Sequence, residues 1–76
     1  MEYTPEEKIA IEELNKQKLT SGIICFSLPV KFECILKGPT EVGTQWFNDH
    51  KGGCHVLVAW EEKGGWNFKV LHSRDA

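Results

Sequence analysis

The residues best suited to chemistry are three cysteines, Cys25, Cys34 and Cys54, and three histidines, His50, His55 and His72. Thiolate and imidazole are natural zinc ligands, but structural zinc sites present them as close, regularly spaced pairs. Here the only close set is His50-x-x-x-Cys54-His55, interrupted by Gly52-Gly53. Cys54 and His55 are also neighbours in a strand pattern, so their side chains leave opposite faces and cannot share one ion. The spacing predicts no metal centre. A cysteine nucleophile needs an imidazole nearby to lower its pKa, and a hairpin at residues 54–72 would set His72 opposite Cys54. No Asn or Asp is placed to orient His72, and free cysteines more often serve as small core hydrophobes. No catalytic residue and no cofactor are predicted.

Phosphate chemistry is equally unsupported. Lys51-Gly52-Gly53 and Lys63-Gly64-Gly65 lack the longer glycine-rich loop running into a helix that cradles phosphate. With 9 Lys and Arg against 11 Asp and Glu, the net charge of −2 offers no footprint for duplex nucleic acid or anionic membrane.

Any site must be held by few elements, because 76 residues support one small domain, 1–76, with one modest core. The hydrophobic share of 41% and charged share of 26% are those of a folded globular chain. Thr4-Pro5-Glu6-Glu7 reads as a helix start, with Thr4 as N-cap, Pro5 at the first helical position and Glu7 closing a capping box. The helix is predicted from Pro5 to about Leu19, with Ile9, Ala10, Ile11, Leu14 and Leu19 as its apolar stripe and Gly22 as its terminator.

From Ile24 to Leu36 every even position is apolar, which is strand periodicity. The alternation runs straight through Pro29, whereas a two-residue turn there would invert it, so one long bent strand is expected. Gly38 to Gly53 reads as a long loop, with at most a short strand near Thr44 to Phe47. A second alternation, Cys54, Val56, Val58, Trp60 and then Trp66, Phe68, Val70, His72, reads as a hairpin. A three-residue turn at Glu62-Lys63-Gly64 would pair Trp60 with Trp66, Val58 with Phe68, Val56 with Val70 and Cys54 with His72.

The predicted fold is therefore α+β, an N-terminal helix packed on an antiparallel sheet of three to four strands. A small SH3-like barrel with an N-terminal helix is the alternative. An odd number of cysteines points to a reducing, cytoplasmic setting. The longest apolar run, Gly22 to Leu28, is far below the roughly 20 residues of a membrane span, and Met1-Glu2-Tyr3 lacks a basic signal-peptide start.

What remains is protein binding. Tryptophan and tyrosine are enriched at interface hot spots, and an open sheet offers an edge for pairing. The chain is expected to be a non-enzymatic protein-binding module, of the kind represented by small inhibitors or adaptors of phages and mobile elements. It is also expected to form a homodimer. The long loop and its surroundings, Trp46, Phe47, Asn48, His50 and His55, are the candidate binding residues. A small-ligand or nucleotide-binding protein and a small cysteine- or metal-dependent enzyme are the competing readings.

Overall fold

The computed structural model describes residues 2–75, so Met1 of the leading tripeptide lies outside it. Helix α1 (Pro5–Lys16) begins as its sequence dictates: Thr4 Oγ1 accepts from the Glu7 N–H at 3.1 Å, and Glu7 Oε1 accepts from the Thr4 N–H at 2.9 Å. It ends earlier than Gly22. Lys18 takes φ of 59°, its N–H reaches the Asn15 carbonyl, and the Leu19 N–H reaches the Leu14 carbonyl. This is a Schellman closure, sealed by packing of Leu19 against the cluster that holds Leu14. Gly22 instead lies in the first strand, where a Cβ would come within 2.9 Å of Ile35 and 3.2 Å of Leu14, so its bare backbone lets α1 sit close.

Strands β1 (Ser21–Ser27), β2 (Lys31–Leu36), β3 (Cys54–Glu62) and β4 (Gly65–Arg74) form one antiparallel sheet in the order β2-β1-β3-β4. The sheet is open, with β2 and β4 as its edges, so the SH3-like barrel is not the fold. The single bent strand expected over Ile24 to Leu36 is in fact the antiparallel pair β1 and β2. The connection spans Leu28 to Val30, pairing Ser27 with Lys31 and Phe26 with Phe32, and a loop of that length preserves parity where a two-residue turn would invert it. A bulge between Cys25 and Phe26 then sets Cys25 opposite Cys34 and Ile24 opposite Ile35. Ile35, an apolar residue at an odd position, thereby shares the face of Ile24.

The long loop expected over Gly38 to Gly53 contains helix α2 (Thr40–Asp49). Val42, Gly43, Thr44, Trp46 and Phe47 are weak helix formers, and packing overrides that preference. Helix α1 covers one sheet face, where Ala10 and Leu14 meet Ile24, Phe26, Leu57 and Ala59. Helix α2 covers the other, where Trp46 and Phe47 meet Ile23, Cys25 and Val56. A strand covered on both faces must be apolar at successive positions, which explains the run Ile23-Ile24-Cys25-Phe26.

The β3–β4 hairpin is real, and its register is one residue from the expected one. Lys63 and Gly64 both take positive φ, 54° and 79°, and form the whole turn, so Glu62 pairs with Gly65. This primed turn matches the right-handed twist of the strands, which a longer loop would not need to do. Trp60 therefore pairs with Asn67 and Glu61 with Trp66, leaving the two tryptophans on opposite faces. A bulge between Val56 and Leu57 sets His72 opposite Val56 and Arg74 opposite Cys54, so His72 does not face Cys54.

Candidate functional site

Polar and aromatic groups gather where the C-terminal end of α2 meets the end of β4. The Phe47 ring is stacked with the His72 imidazole at 4.7 Å and has the Arg74 guanidinium 4.4 Å from its centroid. Arg74 also donates to the carbonyls of His50 at 2.7 Å, Phe47 at 3.3 Å and Gly52 at 2.9 Å. These acceptors are orphan carbonyls at and beyond the helix end, so Arg74 satisfies them and places a cation against the negative end of the helix dipole. His72 shares a hydrogen bond of 2.8 Å between its Nε2 and Thr44 Oγ1. The corner is a clamp holding α2 to β4, made by residues 74 and 47, whose pairing no local pattern announces.

The candidate binding residues divide between locations. Trp46 and Phe47 are half-buried, packed against the sheet under α2. His50 caps the helix and stacks on Trp46 at 4.6 Å, while Asn48 is exposed on the outer side. His55 lies on the opposite sheet face, where its Nδ1 donates to the Glu6 carboxylate at 3.0 Å and ties the first turn of α1 to β3. The structure thus brings Trp46, Phe47 and His50 together on one helix and separates His55 from them.

Cys25 and Cys54 are fully buried, and Cys34 is half-buried opposite Cys25. The Arg74 guanidinium is 3.6 Å from Cys54 Sγ. Burial pushes the Cys25 thiol far above its ordinary value of 9.0, with Cys34 adding to the rise, and burial also raises Cys34. Both thiols keep their protons in the fold at a pH where the unfolded chain releases them. Their contribution to stability is therefore intact below pH 9.0 and is lost as pH rises through and beyond that value. Urea midpoints between about pH 8 and 11 should fall for the wild type and fall less steeply for Cys25→Ala. Equal slopes would mean that other groups carry the alkaline loss.

Two of the surfaces that the helices leave uncovered bear on binding. Beyond the N-terminus of α2, an open groove of about 470 Å³ has Ile23, Leu36 and Val58 as floor, Trp60 as wall and Lys37 at its rim. The second is the β4 edge. In a hairpin closed by a two-residue turn the closing pair is hydrogen-bonded and the pattern alternates from it, so Trp66, Phe68 and Val70 turn their N–H and C=O groups toward the open side. The Tyr3 hydroxyl lies 3.3 Å from both groups of Trp66, donating to its carbonyl and accepting from its N–H. The same ring meets Phe68 edge-on at 5.9 Å. The Phe68 and Val70 backbone groups on that side have no partner among the described residues, and Val70 is 60% exposed. Val70 was legible only as one more core position of the hairpin; the role of Tyr3 rests on a contact 63 residues away in sequence. Compared with known proteins, the chain matches no family model, no curated protein and no solved structure.

Proposed function

We propose that this chain is a non-enzymatic protein-binding module that takes a strand of its partner onto the β4 edge. The observation that carries this reading is the run of unpaired backbone groups at Phe68 and Val70 beside an exposed valine. Long edges left unprotected invite pairing, and strand addition uses main-chain hydrogen bonds for affinity and alternate side chains for specificity. The opposite edge is less suited: β2 is shorter and carries Lys31 and Glu33. Burial of Cys25 and Cys54 and the engagement of His72 with Thr44 favour binding over thiol chemistry. The groove above Ile23 and Val58 supports a small ligand less well, since no buried polar side chain among the described residues is available to orient one.

Proline tests the reading selectively. The Val70 N–H points away from β3, so Val70→Pro removes no rung of the hairpin ladder while blocking an added strand. A partner retained by the immobilised wild type should be lost by Val70→Pro, whose circular dichroism should remain that of the wild type. Binding of the partner to the wild type should also slow amide exchange at Phe68 and Val70. Loss of the partner on Asn48→Ala, with full retention by Val70→Pro, would move the surface to α2 and refute the edge.

A further inference from the structure

We infer that Tyr3 is a lock on the β4 edge, and that the strand it excludes is β4 of a second copy, paired about a twofold axis at Phe68. The inference rests on the reading of β4 as the pairing edge and adds the occupant and the device that controls its entry.

The lock follows from chemistry at Trp66. An incoming antiparallel strand must exchange hydrogen bonds with the outward N–H and C=O of Trp66, Phe68 and Val70. One phenol hydroxyl already serves both groups of Trp66, as donor to the carbonyl and acceptor from the amide. Its ring, set edge-on to Phe68, covers apolar surface that would otherwise face water. Both hydrogen bonds are 3.3 Å long, beyond the ordinary range for their types, so the arm can be displaced by a strand offering shorter ones.

The second copy follows from register. A twofold at Phe68 sets Phe68 against Phe68 of the second copy, Trp66 against Val70, and Asn67 against Lys69. Trp66, Phe68 and Val70 project from one face, the face that α1 covers; Trp66 and Phe68 are half-buried against the cluster beneath α1, and Val70 is left exposed. Each aromatic or branched side chain then gains an aromatic or branched cross-strand neighbour, and no like charges are opposed. A twofold at Lys69 would set two lysines face to face. A twofold at Asn67 would carry Val70 opposite Gly64 in the turn and leave it uncovered. A twofold at Val70 would run the ladder into the β4 bulge. The Phe68 register alone is free of these faults, and its outer rungs both use Trp66. Pairing beyond the central rung therefore requires Tyr3 to leave.

The test is sedimentation of the full chain over about three decades of concentration, for the wild type, Tyr3→Phe and Val70→Lys. Tyr3→Phe keeps the ring on Phe68 and removes both hydrogen bonds, so its dimer should be about tenfold tighter than that of the wild type. Val70→Lys should be monomeric throughout, with unchanged circular dichroism. In the Tyr3→Phe dimer, amide exchange at Trp66, Phe68 and Val70 should slow as concentration rises. A Tyr3→Phe chain no more associated than the wild type, or a dimer whose Phe68 and Val70 amides exchange freely, overturns the inference. The Val70→Pro binding result is read separately: loss of a foreign partner by that variant, with Tyr3→Phe monomeric, leaves the edge as a binding site and removes only the second copy as its occupant.

Discussion

Phe26→Ala should lower the unfolding free energy by about 4 kcal/mol, the loss associated with truncating a fully buried aromatic side chain. Phe26 has no exposed surface and packs in the cluster formed by Ala10, Leu14, Ile24, Leu57 and Ala59, with Phe32 edge-on at 6.1 Å. It joins α1 to the centre of the sheet, so the space left by truncation is walled by a helix on one side and hydrogen-bonded strands on the other. Neither can close on it cheaply. A domain of this length has a total stability of roughly 4 to 11 kcal/mol, so the substitution should remove a large part of it. Urea titration followed by tryptophan fluorescence measures the effect. A loss below about 1.5 kcal/mol would show that the cavity collapses and that Phe26 does not bridge the two layers as described.

Gly43→Ala separates helix propensity from packing by sign. In an exposed helix interior the change stabilises by about 1 kcal/mol. In α2 the new Cβ would lie 2.8 Å from Ile23 Cγ2, 3.1 Å from Leu71 Cδ2 and 3.3 Å from Val56 Cγ1. Contacts that short force α2 away from the sheet, and the net result should be destabilisation by about 1 to 3 kcal/mol. Gly43→Val, with more volume at the same place, should lose more and should loosen the Phe47 and Arg74 clamp that depends on the seating of α2. A rise in thermal midpoint for Gly43→Ala would show that α2 is not held against Ile23 at that distance.

Gly43 also explains why α2 was not legible. Read as a string, Val42-Gly43-Thr44-Gln45-Trp46-Phe47 holds a strong helix breaker and several strand formers between Gly38-Pro39 and Gly52-Gly53. The signal that could have found the helix is the spacing of Gly43, Trp46, Phe47 and His50, a helical face in which the glycine is the point of closest approach. A pattern search that counts only apolar side chains discards that glycine. The same limit applied to the candidate site. Trp46, Phe47 and His50 could be marked as unusual residues, but whether they face solvent or the sheet depends on what they pack against.

Legible in the order of residues were the start of α1, the strand periodicity within residues 24–36 and 54–72, and hence the α+β class. Each of these rests on interactions a few residues apart: a capping box closed within one turn, or side chains alternating along a pleat. Packing between distant segments made α2 a helix, covered both sheet faces and set which residue of β4 meets which residue of β3. It also decided that Tyr3 reaches Trp66 and that Arg74 reaches the end of α2. The reason is physical: local signals compete at a few tenths of a kcal/mol per residue, so burial and hydrogen-bond satisfaction between segments distant in sequence outweigh them.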